Sequence, residues 1–197
     1  MKLAIGIIGL PLAGKETVAE ALEALLKKDG HSVSRHRFSD ILRETLTLWG
    51  MPHGRDNEQI LAHLMTAPGN FKEGALSQAV KNRISNETTD VGILDGMRWL
   101  SDETMVREFP AAGIKSVVIY VTASADRRYE RLAKRNRSGE AAITREKFDE
   151  QGKAQNESYV PEIGARADVT LKNEYEKIED FQKDIEAAYR SAVKPLL

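Results

Sequence analysis

Residues 9–17 read Gly9-Leu10-Pro11-Leu12-Ala13-Gly14-Lys15-Glu16-Thr17, a G-x-x-x-x-G-K frame. The glycines let a backbone wrap around a phosphate. Successive N–H groups then point inward, and a helix starting inside the frame adds its positive N-terminal dipole. Lys15 in such a loop reaches the outer phosphates of a nucleoside triphosphate, with Gly9, Ala13, Gly14 and Thr17 forming the cradle. Glu16 departs from the frame, because the place after the lysine ordinarily holds a Ser or Thr whose hydroxyl ligates Mg²⁺. Either Glu16 holds the metal, directly or through water, or another carboxylate does. Thr17, one place on, is free to donate to the α-phosphate.

A second chemical segment is Leu94-Asp95-Gly96-Met97-Arg98, at the end of an apolar run. Ligands of an open α/β sheet sit at the carboxyl ends of its strands, so Asp95 and Arg98 are expected beside the phosphate loop. Arg98 has the planar fork suited to a phosphate. Six basic residues fall between 127 and 137, and Arg127, Arg131 and Arg135 recur at i, i+4, i+8, which aligns them as one stripe on a helix. Asp40 and Arg43 open a helix after the second strand. Asp40 there is a helix cap or a functional carboxylate. His31, His36, His53 and His63 show no metal-ligand spacing, and no nucleophile motif is present.

These residues need elements to hold them. Leu3–Ile8 is apolar at every position except Gly6, as a strand covered on both faces is. A helix follows through Val18, Leu22, Leu25 and Leu26, stopping near Asp29-Gly30. Further strands are expected at 32–38, 91–94, 115–121 and 168–171. Helices are expected from Ser39 or Asp40 to Trp49, at 56–66, 71–86, 100–109, 124–135 and 145–157, and at the C-terminus through Ile178, Phe181, Ile185 and Ala188. Alternating strands and helices predict a parallel sheet with right-handed crossovers. The fold class is α/β: three layers, about five parallel strands flanked by helices. Residues 1–197 read as one domain, with 50–90 as its likeliest insertion.

The loop, the strand-end segment and this layout resemble the P-loop nucleotide kinases. Phage-type deoxynucleoside monophosphate kinases and animal phosphomevalonate kinases are similar at the Glu16 position. Asp95-Gly96-Met97-Arg98 resembles the D-G-x-R segment of archaeal adenylate-kinase-related proteins. Residues 168–173 resemble the A-D-x-x-L/I-x-N segment of dephospho-coenzyme A kinases. The resemblance implies ATP and Mg²⁺ as cofactors, with Glu16 or Asp95 as metal ligands and Asn173 near the adenine. It implies that Asp40 faces the loop across the cleft, that Arg43 and Arg98 hold the acceptor, and that residues 50–90 form the acceptor side. A lid at 127–143 would bring Arg131, Arg135 and Arg137 to the transferring phosphoryl. The activity implied is phosphoryl transfer to a nucleoside or deoxynucleoside monophosphate. A dephospho-coenzyme A kinase and a non-catalytic ATP-binding module are the alternatives.

Composition agrees with a small-molecule enzyme. The 29 Lys and Arg against 30 Asp and Glu leave a net charge of −1, which disfavours a nucleic-acid-coating protein. The 197 residues contain no cysteine, which excludes disulfides and thiolate chemistry. No apolar run approaches the roughly 18 residues of a membrane span. The start lacks a signal-peptide layout. A cytoplasmic monomer or homodimer with a small phosphate acceptor as partner is the expectation.

Overall fold

The computed structural model describes residues 1–66, 69, 74–135, 143–152 and 155–197. Five strands, β1 (Leu3–Ile8), β2 (Val33–Arg37), β3 (Val91–Met97), β4 (Lys115–Thr122) and β5 (Val169–Lys172), form one sheet in the order β2-β3-β1-β4-β5. Every pairing is parallel. β1 lies in the middle, which explains a sequence buried on both faces.

Ten α-helices lie among the described residues: α1 (Lys15–Lys28), α2 (Phe38–Leu48), α3 (Arg55–Thr66), α4 (Ala75–Ser85), α5 (Leu100–Glu108), α6 (Ala125–Arg135), α7 (Arg145–Gly152), α8 (Gln155–Ser158), α9 (Val160–Ala165) and α10 (Ile178–Ala188). Period-2 alternation divides the core into two layers. Leu3, Ile5, Ile7, Val91, Ile93, Val117, Ile119 and Val121 pack against α1 and α10 through Val18, Leu22, Leu26, Phe181 and Ile185. Ala4, Ile8, Leu94, Met97 and Val118 face the other layer, with α2, α4, α5 and α9. Helix α1 leaves β1 on one face while α5 leaves β3 on the other. The crevice beyond the carboxyl ends of β1 and β3 is therefore a topological switch point, where open α/β sheets bind ligands.

One boundary differs from the sequence expectation. Helix α2 starts at Phe38, with Arg37 at its N-cap, rather than being capped by Ser39 or Asp40. The reason is packing: Phe38, Leu42 and Leu46 recur at i, i+4, i+8 and are all buried, which draws the helix start back to Phe38. The expected helix at 145–157 is helical wherever it is described, as α7 over Arg145–Gly152 and α8 over Gln155–Ser158, with 153–154 outside the described residues. Within 71–86, the described helix starts at Ala75 behind Gly74 at φ +72°. Among the described residues no helix is long and apolar enough to cross a membrane.

Candidate functional site

The loop between β1 and α1 is built by close contact and one unusual backbone conformation. A Cβ on Gly9 would run into the carbonyl oxygen of Val121, so only glycine lets the chain leave β1 beside β4. Leu12 has φ +65°, a left-handed conformation that costs a non-glycine residue roughly 1–2 kcal/mol. Gly14, at φ +109°, is the N-cap of α1 and offers no capping side chain, which leaves the first N–H groups of the helix for a ligand. Thr17 lies in that first turn.

Lys15 Nζ donates to the carbonyls of Gly9 (2.7 Å) and Leu10 (3.1 Å), so the ammonium sits at the mouth of the loop. Desolvation, reinforced by the nearby charge of Arg98, brings its pKa down to about 7 despite the opposing charge of Asp95. A cation held in this way gains from a phosphate dianion in two respects, as counter-charge and as hydrogen-bond acceptor.

Behind the loop, the Asn173 side chain donates to Ala13 O (2.9 Å) and is almost fully buried. Arg131 donates to Leu12 O (3.1 Å), Asn173 O (2.8 Å), Asn173 Oδ1 (2.9 Å) and Tyr175 O (3.3 Å). Two residues expected at the nucleotide thus tie α6 and the end of β5 to the loop backbone. Arg128 is buried against the Phe148 ring, 5.4 Å from its centroid, and contributes to the field at Lys15. Arg135 stands exposed in the last turn of α6. Arg137 lies outside the described residues.

At the end of β3 the ladder with β1 slips between Ile7 and Ile8, and Gly96 has φ +91°. This bulge ends the regular pairing directly after Asp95. Asp95 lies opposite Arg37 in the β2–β3 register, and Arg35 is two residues earlier on the same face. That face is the one covered by α1. There Arg35 pairs with Asp95 and with Glu16 (2.9 Å), and Arg37 pairs with Glu16 and approaches Asp95 at 3.7 Å. Desolvation pushes the Glu16 carboxyl up, but the hydrogen bond and charge of Arg35, with the charge of Arg37, hold it below its ordinary range. The sequence reading missed Arg35 and Arg37, although i, i+2 spacing in an expected strand puts them on one face.

The two arginines expected at the acceptor have carboxylate partners. Arg98 pairs with Glu157 of α8, which is 1% exposed. Arg43 donates to Glu58 (2.9 Å) and lies 3.7 Å from Asp40. Asp40 sits in the first turn of α2, where its charge suits the helix dipole.

A family model described as an AAA domain matches residues 5–152, from β1 to the end of α7. The chain belongs to this AAA-domain family of P-loop proteins. The chain is also similar to a UPF0200 protein of Hyperthermus butylicus, 26% identical over 183 residues, covering 93% of this chain and 91% of that protein. The P-loop fold extends to solved kinases. Shikimate kinase from Bacteroides thetaiotaomicron gives a TM-score of 0.60 at 13% identity, over 95% of this chain and 98% of its own. The Mycobacterium tuberculosis APS kinase in complex with AMPPNP and APS gives 0.54 at 16% identity, over 96% and 98%. The likeness to both is one of fold: a five-stranded parallel sheet flanked by helices, with the P-loop at its centre.

Proposed function

We propose that this P-loop protein transfers the γ-phosphoryl of ATP to a small nucleotide or nucleotide-like acceptor. The observation that carries the reading is Lys15: a partly desolvated ammonium, pKa about 7, at the mouth of a glycine loop on the sheet's switch point. Phosphoryl transfer asks a protein chiefly for positioning and charge neutralisation, and this cleft supplies both. The loop N–H groups and Lys15 bind the triphosphate. Asp95 and the guanidinium cluster line the side of the cleft away from β4.

Mg²⁺ is the cofactor this chemistry implies, and the donors fit it. Glu16 Oε2 and Asp95 Oδ2 both meet the same Arg35 nitrogen, so two carboxylate oxygens already converge on one cation. Among the described residues no group of three or more His, Asp or Glu is placed to hold a metal. Magnesium is commonly held by one or two carboxylates together with substrate phosphates and water. Glu16 and Asp95 would hold it, and it would neutralise charge on the β- and γ-phosphates. Arg135, at the end of α6, is proposed to meet the developing charge on the phosphoryl group. The site is read as that of a cytoplasmic enzyme acting as monomer or homodimer, with no nucleic-acid partner.

Of the alternatives, a ribose-hydroxyl acceptor needs a base at Asp40, whose carboxylate keeps company with Arg43. Coupled ADP release tests the reading against nucleoside monophosphates, deoxymonophosphates and dephospho-coenzyme A. ADP formation with a monophosphate supports it, whereas formation only with dephospho-coenzyme A moves the acceptor to a hydroxyl.

A further inference from the structure

Arg35 and Arg37 are the two guanidiniums of the cleft that no sequence motif singled out. Both project from the carboxyl end of β2 onto the α1 face, beside the P-loop. Asp95, 8% exposed and fixed on β3, holds Arg35 from below. The other partner is different in kind. Glu16 comes from the first turn of α1, is 52% exposed, and takes one guanidinium on each of its two oxygens. A carboxylate held between two guanidiniums, one on each oxygen, occupies the place a tetrahedral oxyanion would take.

Two further observations point to an external ligand. The Nε–H of Arg35 is buried and has no hydrogen-bond partner, and a buried donor left unpaired is destabilising. Glu16 cannot satisfy it while both its oxygens are used on Nη groups, but a phosphate brings three acceptor oxygens. Second, the counter-ions of the cleft's arginines differ in how easily they are displaced. Detaching Glu157 from Arg98 strands a fully buried charge, which is costly. Glu16, half exposed, need only turn into water, which solvates its charge, while Arg35 keeps Asp95.

We infer that Arg35 and Arg37 form a binding site for a phosphate monoester dianion, and that Glu16 occupies this site as an internal carboxylate which the incoming phosphate displaces. The inference rests on the kinase reading only in assigning that phosphate to the acceptor. It also accounts for Glu16, the residue that departs from the P-loop frame, since the anion that enters releases a carboxylate in the first turn of α1, beside the P-loop. A purely structural ion-pair cluster makes no such connection.

The test is phosphate binding, with inorganic phosphate as the probe, followed by calorimetry on the chain saturated with a non-hydrolysable ATP analogue. One saturable site is expected. Arg37→Gln, at an exposed position, should weaken it about ten-fold, the loss of one charge-assisted contact. Arg35→Lys, which keeps the charge and loses the fork, should weaken it by a similar factor, and Arg35→Gln by more. Glu16→Gln should tighten it several-fold, because the internal competitor loses its charge. Phosphate binding unchanged by Arg37→Gln, or weakened by Glu16→Gln, overturns the inference even where Arg35→Gln fails to fold. Repeating the series in Lys15→Ala separates the two readings. If the ATP analogue does not bind the unsubstituted chain, the kinase reading falls, while the order of phosphate affinities in Lys15→Ala still judges the arginine site.

Discussion

Lys15 combines two properties, a position on the P-loop carbonyls and a pKa of about 7, and they make its titration a reporter of ligand binding. A triphosphate beside the ammonium raises its pKa, so ATP binding takes up a proton above about pH 7 and affinity falls as pH rises from there toward the ordinary lysine range. Calorimetry at pH 8 in buffers of different ionisation enthalpy should show a buffer-dependent binding enthalpy. A buffer-independent enthalpy contradicts the assignment. The same shift acts on folding with a definite sign. The folded-state pKa is depressed, so between about pH 7 and the unfolded value the unfolded chain binds the extra proton and stability rises with pH. Lys15→Met should remove that rise, which denaturant unfolding at pH 7 and pH 9 measures. An identical slope in both chains would show that Lys15 is not the group responsible.

The elements are fastened through a few tertiary bonds, and those were the least legible part of the sequence. The loop itself was readable because its frame, the strand before it and the helix after it are contiguous. The arginine stripe on α6 was readable from its spacing, but where Arg131 points depends on β5 returning beside β4, which no local pattern states. Its guanidinium and the Asn173 amide together fasten α6, the loop and the end of β5. Asn173→Ala removes the bond to Ala13 O and one acceptor of Arg131. It should cost about 1–3 kcal/mol in urea unfolding and weaken ATP binding; unchanged stability would mean that the tie is not formed. Gly96 is a second fastening point. Among the described residues beyond its chain neighbours, no atom lies within 4 Å of where a Cβ at Gly96 would sit, so the cost of Gly96→Ala is that of φ +91° alone, about 1 kcal/mol. A larger loss of turnover than of stability is expected, because Asp95 is re-aimed. At the exposed end of α6, Arg135→Ala should lower kcat more than it changes the KM for ATP, and an effect on KM alone would reduce Arg135 to ground-state binding.

At the scale of the whole molecule, the alternation of apolar strands and amphipathic helices was enough to predict five parallel strands and the three layers. Strand order was not, since the placement of β3 between β2 and β1 is set by how α1 and α5 cross opposite faces. That order is also what brings Arg35 and Arg37 against Asp95 and Glu16, which is why those two arginines were passed over although their i, i+2 spacing was visible. The net charge of −1 conceals this arrangement: cations gather at one end of the sheet and are balanced there by Glu16, Asp95 and Glu157. Under the proposed function, such a cleft would take a small polyphosphate and a second anion. The most direct measurement is ADP release by the unsubstituted chain and by Lys15→Ala, with ATP, Mg²⁺ and each phosphate acceptor in turn. The prediction is ADP formed in step with one phosphorylated acceptor and reduced at least about a hundred-fold in Lys15→Ala. Bound ATP with no ADP released for any acceptor, or full turnover in Lys15→Ala, would contradict the account.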